Sequence, residues 1–148
     1  MEEIIFYSPI GYLLLQITKR GIYAVKKIEK GETTGSHPVA EMIKRYLEGE
    51  KVDFAKIPID WSGYSPLQKK VLEKVREVPY GEWRSYSWVG KEIGLNYGWR
   101  YIGKVLSLNR TPIIIPCHRI IYKNKNLGGF TWGKEVKKFL LELEGISL

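Results

Sequence analysis

The sequence predicts an α/β protein in two segments: an N-terminal α/β segment, residues 1–62, and a mainly helical C-terminal segment, residues 63–148. β-branched and aromatic residues form runs near the start of the chain, whereas apolar residues at helical spacing dominate the rest. The charge divides at the same place. Residues 1–62 carry nine Lys/Arg and nine Asp/Glu, whereas residues 63–148 carry fifteen Lys/Arg and seven Asp/Glu. The whole net charge of +8 therefore lies in the second segment.

The first segment predicts a small sheet and one helix. Residues 4–7, 11–18 and 22–28 form β-rich runs, and the last two are joined across 19–21 as a hairpin. Ser36 is the predicted N-cap of a helix that Gly49 stops, with an apolar stripe between them. A further short strand is predicted over residues 52–59. His37 is predicted to be a surface residue before the helix.

The second segment predicts three helices. Ser65 to Gln68 combine a capping box with a proline at the first helical position, and the helix ends before Pro79. A short helix over residues 85–94, a three-residue turn and a helix over residues 98–108 follow. Two short helices joined by a tight turn are typical of a helix-turn-helix.

The helix over residues 98–108 has a polar face and an apolar face. At 100° per residue, Arg100, Lys104 and Ser107 share one side, and Gly103 at its edge allows a backbone or a base to approach closely. The opposite side carries Ile102, Val105, Leu106 and Asn109. Periodicity alone favours an ordinary amphipathic surface helix. The charge excess of the segment and the turn ahead of the helix make a nucleic-acid-binding face an equal alternative.

The only cysteine, Cys117, stands beside His118 after an apolar run. A lone cysteine cannot form an internal disulfide or, alone, a tetrahedral zinc site, so it is either a buried thiol or a nucleophile. Burying the next two residues, His118 and Arg119, costs several kcal/mol unless they have partners. The neighbours therefore favour the nucleophile.

Nothing in the sequence predicts export or a membrane span. The N-terminus lacks a basic region, and no apolar run approaches about 20 residues. We therefore expect a soluble protein of a reducing, cytoplasmic compartment.

Several short motifs occur in a fixed order across residues 65–145. They are Gly81-Glu82, Ser85-Tyr86, Arg100-Tyr101-Ile102-Gly103, Asn109, Pro116-Cys117-His118-Arg119 and Leu143-Glu144-Gly145. This pattern resembles the O6-alkylguanine-DNA alkyltransferase family, also called methylated-DNA–protein-cysteine methyltransferases. The resemblance implies an N-terminal domain of ribonuclease-H-like topology and a C-terminal, winged helix-turn-helix-like domain that docks in the DNA minor groove. The first 60 residues match only in general architecture.

The resemblance also implies a role for each matching residue. Cys117 accepts the alkyl group, His118 takes the thiol proton through a water, and Glu144 orients the imidazole. Tyr86 protonates the leaving guanine and crowds the 3′ phosphate, and Asn109 supports the reactive loop. The DNA-binding residues are Tyr86, Arg100, Gly103, Lys104 and Ser107, of which Arg100 fills the gap left by the flipped base.

The implied protein is a monomer that binds double-stranded DNA and works once, without metal or cofactor. O6-alkylguanine, and also O4-alkylthymine, are the expected substrates. Phe130, Thr131 and Trp132 lie where the family has a pocket-wall loop, and Trp132 is expected to narrow the pocket. Two alternatives stay open. They are a DNA-lesion sensor without transfer activity and a Cys/His hydrolase.

Overall fold

A computed structural model describes residues 1–96 and 98–148 and has a mixed α/β fold. Strands β1 (Glu2–Ser8), β2 (Gly11–Thr18) and β3 (Gly21–Lys27) form an antiparallel sheet in the order β1-β2-β3. Helix α1 (Pro38–Leu47) packs against β1. The three predicted strands and the first predicted helix are confirmed.

The turn between β2 and β3 requires a glycine. Gly21 has φ +133°, and a Cβ there would lie 2.4 Å from the carbonyl oxygen of Pro58. This close approach lets the chain around residue 59 run beside β3, where the Ile22 amide donates to Pro58 O at 2.9 Å and the Asp60 amide to Ile22 O at 2.9 Å.

The prediction that Ser36 caps α1 was wrong. The N-cap is His37, whose Nδ1 accepts a hydrogen bond from the Val39 amide at 3.1 Å. Pro38 at the first helical position fixes this start, because it needs no hydrogen-bond acceptor for an amide. His37 is half-buried, so it is a cap rather than a free surface residue.

The prediction of a strand over residues 52–59 was also wrong. Only Ile59 forms a bridge, to Ile22. The Arg76 guanidinium donates to the carbonyls of Phe54 and Ile57 at 2.7 and 2.8 Å. A side chain thus takes the acceptors that a neighbouring strand would use, and the segment stays irregular.

Three further helices lie close together. α2 (Pro66–Arg76) has the predicted capping box, with Ser65 and Gln68 bonded reciprocally at 2.9 and 3.1 Å. α3 (Tyr86–Glu92) and α4 (Trp99–Ser107) occupy the two positions predicted for the helix-turn-helix, and both contact α2. The turn predicted over residues 95–97 includes Tyr97, which lies outside the described residues.

A parallel strand pair connects the cysteine to α3. β4 (Arg84–Ser85) pairs with β5 (Ile120–Ile121). β4 leads directly into α3, and β5 directly follows a short 3-10 helix, Cys117–Arg119. The pair therefore fixes the cysteine relative to Tyr86. Helix α5 (Lys134–Leu143) closes the fold and contacts the 3-10 helix.

One apolar core runs through both segments. It includes Leu13 of the sheet, Ile43 of α1, Val71 of α2, Ile102 of α4 and Ile115 of the loop between α4 and Cys117, all at most 1% exposed. The predicted division at residues 62/63 thus lies between parts that share their interior, and it stays a prediction. No helix in the described residues has the length and hydropathy to cross a membrane.

Candidate active site

Cys117 begins the 3-10 helix and borders a cavity of about 480 Å³. Its side chain is 4% exposed. The other residues that line the cavity are Tyr86, Trp99, Arg100, Gly103, Leu106, Ser107, Tyr122, Gly129, Phe130 and Thr131. The thiol is thus buried, yet it lies at the surface of a space large enough for a small molecule or a nucleobase.

Asn109 holds the loop that carries the cysteine. Its Nδ2 donates to Ile115 O at 3.1 Å and lies 3.2 Å from Cys117 Sγ, while its Oδ1 accepts from the Thr111 amide at 3.0 Å. The loop includes Ile113 at φ +76°, a conformation that costs a β-branched residue about 1–3 kcal/mol. The contacts of Asn109 on both sides of Ile113 stabilise this strained loop.

The cysteine needs help to ionise. Burial raises the pKa of Cys117, whereas the hydrogen bond from Asn109, the charge of Lys137 and the nearby backbone amides lower it. The pKa stays above its ordinary value because burial dominates. A base must therefore remove the proton during the reaction.

His118 is fully buried, and its contacts define its tautomer. Nε2 lies 2.7 Å from Glu144 Oε2 and 3.1 Å from the hydroxyl oxygen of Tyr46. Because the carboxylate accepts, the proton sits on Nε2, an assignment from hydrogen-bond partners. Nδ1 then carries a lone pair, and it is buried with no hydrogen-bond partner among the described residues. His118 is therefore arranged to accept a proton at Nδ1.

The segment around the cysteine forms a tight turn. Cys117, His118 and Arg119 form a single 3-10 turn because the Arg119 amide donates to Pro116 O at 3.0 Å. No hydrogen bond joins the Cys117 thiol to the His118 ring in the described residues. The described contacts therefore provide no direct route for a proton from the thiol to the imidazole.

Glu144 is the C-cap of α5 and sits at the centre of a buried network. Oε1 accepts from Arg119 Nε at 2.8 Å and from the Gly81 amide at 2.9 Å, and Oε2 accepts from His118 and Tyr46. Burial alone would raise the pKa of Glu144, but the hydrogen bonds and charges of His118 and Arg119 lower it to about 2. The carboxylate is thus ionised at any ordinary pH. Burial in turn lowers the pKa of His118, and the carboxylate opposes this by favouring the imidazolium.

Tyr86 lies at the cavity with a lysine behind it. Lys137 is completely buried, and its Nζ is 3.3 Å from the Tyr86 hydroxyl. It also donates to the carbonyls of Ile120 at 2.7 Å, Gly129 at 3.2 Å and Leu127. Burial raises the pKa of Tyr86 to about 12, so the hydroxyl keeps its proton at neutral pH. Lys137 thereby connects the hydroxyl to the loop that forms the cavity wall.

The polar face predicted for α4 is confirmed. Arg100, Lys104 and Ser107 are exposed, whereas the four residues of the predicted apolar face are buried. Arg100 and Ser107 line the cavity, and Lys104 does not. The Arg100 guanidinium lies over the ring of Trp99, 4.9 Å from its centroid. The Cβ position of Gly103 is 3.9 Å from the Tyr86 ring, so α4 passes close to that ring.

Of the three predicted pocket-wall residues, two line the cavity. Phe130 and Thr131 are at its wall, and the Phe130 ring meets the His118 ring edge-on at 6.3 Å. Trp132 packs against Phe130 at 6.1 Å and is not among the lining residues. Narrowing of the pocket by Trp132 would act through Phe130. Tyr122, for which the sequence predicted no role, packs on Tyr86 with ring centroids 4.6 Å apart.

The sequence interpretation missed Tyr46 and Lys137. Tyr46 lies on the apolar stripe of α1, where it reads as a core residue. One sequence pattern could have identified Lys137 as a buried residue. Together with Leu140, Leu141 and Glu144 it forms a stripe at helical spacing, so two charged residues share the apolar face of α5. Within the described residues no group of three or more His, Cys, Asp or Glu side chains could hold a metal ion.

Comparisons with known proteins point to one family. The model of the 6-O-methylguanine DNA methyltransferase DNA-binding domain matches residues 66–146. A methylated-DNA–protein-cysteine methyltransferase from Archaeoglobus fulgidus is 41% identical over 145 residues, 92% of this chain and 95% of that protein. A DNA base-flipping protein from Thermus thermophilus is 33% identical over 143 residues, 93% of this chain and 96% of that protein.

The structural comparison agrees over nearly the whole chain. The crystal structure of Mycobacterium tuberculosis OGT in complex with DNA superimposes with a TM-score of 0.84 at 28% identity. The match covers 98% of this chain and 93% of the other.

Proposed function

The chain belongs to the methylated-DNA–protein-cysteine methyltransferase family, and on this premise we propose that it repairs O6-alkylguanine in duplex DNA by direct transfer of the alkyl group to Cys117. The observation that carries the proposal is the position of Cys117 Sγ. The sulfur lies at a cavity of nucleobase size, within reach of Asn109, and next in sequence to a buried histidine–glutamate pair. O4-alkylthymine is a second expected substrate.

The proposed reaction follows from these groups. The Cys117 thiol loses its proton through a water to Nδ1 of His118, and Glu144 stabilises the resulting imidazolium. The thiolate then forms a bond to the alkyl carbon while the carbon–O6 bond breaks. The electron pair of the broken bond goes to the departing guanine, which takes a proton from Tyr86. His118 then releases the thiol proton to solvent and Tyr86 takes one from solvent, so that the net result places the alkyl group on sulfur and one proton on the base. Because a thioether is stable, each molecule acts once.

The DNA is proposed to bind along the exposed face of α4. Arg100, Gly103, Lys104 and Ser107 lie there, and the cavity opens beside them. We propose that the helix enters the minor groove, that the alkylated nucleotide rotates into the cavity, and that Arg100 leaves Trp99 to fill the gap in the stack. We propose that a monomer suffices, because the thiol, its base and the DNA face all lie on one chain.

We also propose that the chain has the two domains of its family. Residues 1–62 correspond to the ribonuclease-H-like domain of the family, and residues 63–148 to its winged helix-turn-helix-like domain. The antiparallel sheet with α1 supports the first assignment, and the placement of α3 and α4 supports the second.

Two other functions make different predictions. The similar base-flipping protein gives weight to a lesion sensor, whereas a Cys/His hydrolase would need donors for an oxyanion at the thiol. The intact mass of the protein after mixing with an oligonucleotide that contains O6-methylguanine separates them. We expect a gain of one methyl group per molecule. An unchanged mass with tight binding would indicate a sensor, and turnover of ester substrates a hydrolase.

Arg100→Ala should slow repair of duplex DNA much more than reaction with the free base O6-methylguanine. Opening the stack is needed only in the duplex, where unstacking costs a few kcal/mol. Single-turnover rates on both substrates measure the difference. Lys104→Ala is the matched control, because it removes a cation from the same face outside the cavity; it should weaken binding without slowing transfer at saturating DNA. Equal losses of Arg100→Ala on both substrates would place Arg100 in the chemistry instead.

Binding to undamaged DNA should be electrostatic and nearly independent of sequence. Each phosphate neutralised contributes a slope of about −0.9 in log K against log salt concentration. Fluorescence anisotropy at several salt concentrations gives the slope, and Lys104→Ala should reduce its magnitude by about 1. A flat salt response would contradict the assignment of the basic segment to DNA.

A further inference from the structure

Tyr46 connects the N-terminal segment to the catalytic groups. It lies on α1, 71 residues before the cysteine, and its side chain is completely buried. Its hydroxyl is 3.1 Å from His118 Nε2 and donates to Glu144 Oε2. The rings of Phe54 and Tyr80 pack edge-on against it at 5.8 and 6.1 Å, so the hydroxyl has a fixed position.

The hydrogen bonds have only one consistent set of donors. Burial and the Glu144 carboxylate raise the pKa of Tyr46 far above its ordinary value, so the hydroxyl always carries its proton. That proton goes to Oε2 of Glu144, which is ionised. The Nε2 proton of His118 is then shared between the same Oε2 and the tyrosine oxygen. Both acceptors favour the tautomer that leaves the lone pair on Nδ1.

We propose that Tyr46 is a positioning residue for alkyl transfer, which fixes the tautomer of His118 and limits how strongly Glu144 stabilises the imidazolium. This role of Tyr46 rests on the proposed transfer to Cys117, because only then does the basicity of His118 control a reaction. The hydroxyl and the imidazole share one carboxylate oxygen. A donor that is always present withdraws part of the negative charge that the imidazolium would otherwise receive.

The other charged groups around the pair stay in place when the hydroxyl is removed. Arg119 contacts Glu144 at 2.8 Å, and Lys137 and Arg119 both act on His118 through their charge. The Gly81 amide holds Oε1. Tyr80 is near Glu144 but does not bond to it; its hydroxyl lies 3.5 Å from Leu143 O. The carboxylate therefore keeps its position without Tyr46, and the effect of the hydroxyl can be isolated.

Tyr46→Phe is the direct test, because it removes one oxygen and keeps the ring. Without the competing donor, the carboxylate favours the imidazolium more, and the pKa of His118 rises. Since His118 must be neutral to take the thiol proton, the acid-side midpoint of the rate–pH profile should move up by about one pH unit. Single-turnover methyl transfer from an O6-methylguanine oligonucleotide between pH 5 and 9 gives this midpoint.

A second readout does not need DNA. The rate at which iodoacetamide alkylates Cys117, the only thiol, should show the same upward shift of its acid-side midpoint. The chain has two histidines, so an NMR titration of the imidazoles can follow His118 directly with His37 as internal reference. If transfer from DNA fails in the wild-type protein and in every variant while these two profiles shift, the proposed repair function is wrong, and only the effect of Tyr46 on the basicity of His118 stands.

Tyr80→Phe is the matched control. It removes a hydroxyl from the neighbouring ring of the same cluster, one that bonds to neither His118 nor Glu144, and its profiles should follow those of the wild-type protein. If Tyr46 only fills the core, Tyr46→Phe will lower the melting temperature and leave all three profiles unshifted, which overturns the proposal. A fluorotyrosine at position 46 covers the case in which phenylalanine prevents folding. Its more acidic hydroxyl should move the midpoint down, and no movement would again overturn the proposal.

Discussion

Cys117→Ser should abolish methyl transfer, with a loss of at least about a thousandfold, as is typical when an enzyme loses its nucleophile. A hydroxyl is far harder to ionise than a thiol, and burial makes the charged form less favourable still. DNA affinity should stay within about twofold, because the change adds no charge and alters neither α3 nor the exposed face of α4. The variant is thus expected to bind and flip the lesion without repairing it.

The measurement combines mass and binding. Intact mass after mixing with O6-methylguanine DNA should show no methylated protein, and anisotropy with the same oligonucleotide should give the wild-type dissociation constant. Transfer above a trace would exclude Cys117 as the acceptor. A large loss of affinity together with a lower melting temperature would mean that serine disturbs the loop that Asn109 holds.

The strength of the sequence was in local chemistry. The capping box at Ser65 and the two faces of α4 depend on residues within a few positions of one another, and the structure confirms both. Glu144 was reached only through the family resemblance, since a carboxylate at a helix end is usually solvated. Its pairing with His118 spans 26 positions and has no local pattern.

Two of the failures involve partners distant in sequence. The segment 52–59 has strand-like composition, but Arg76 of α2 takes two of its carbonyls, and nothing near residue 54 predicts that. Tyr46 looks like any aromatic residue of an apolar stripe until the fold brings it against residues 118 and 144. A fully buried residue with a polar atom must find a partner, and the sequence does not say which.

These contacts bring side chains from α1 and α5 to the candidate active site. The hydrogen-bonded side chains of His118 and Glu144 contact Tyr46 of α1, whereas the Tyr86 hydroxyl contacts Lys137 of α5. In the proposed mechanism, proton removal from the thiol and proton delivery to the guanine thus depend on contacts from different parts of the chain. Variants at Tyr46 and Lys137 should therefore affect different steps.

Lys137→Met should lower both stability and activity. Methionine has similar length and no donors, so the carbonyls of Ile120, Leu127 and Gly129 lose their shared partner. An unsatisfied buried acceptor costs about 1–3 kcal/mol, but removing a buried ammonium from the core recovers part of this. The loop carbonyls at 127 and 129 are only partly buried and can turn to solvent. We therefore expect a net loss of about 2 kcal/mol in the free energy of unfolding.

Rotation of the carbonyls at 127 and 129 toward solvent also explains the expected loss of activity. When the loop leaves α5, the cavity wall formed by Phe130 and Thr131 shifts, and Tyr86 loses the cation behind its hydroxyl. Since misplacement by about 1 Å can cost a hundredfold, methyl transfer should fall at least tenfold. Urea unfolding and single-turnover transfer measure the two effects separately.

Lys138→Met is the matched control, with the same substitution and charge change one position along α5. Its side chain is 69% exposed, and its ammonium is 3.9 Å from Glu142, an exposed pair worth little. Its stability should stay within about 0.5 kcal/mol of the wild-type value, with unchanged transfer. Equal effects of the two variants would show that net charge, and not the buried contacts of Lys137, determines the result. A stable Lys137→Met protein with full activity would show that the loop keeps its position without the lysine.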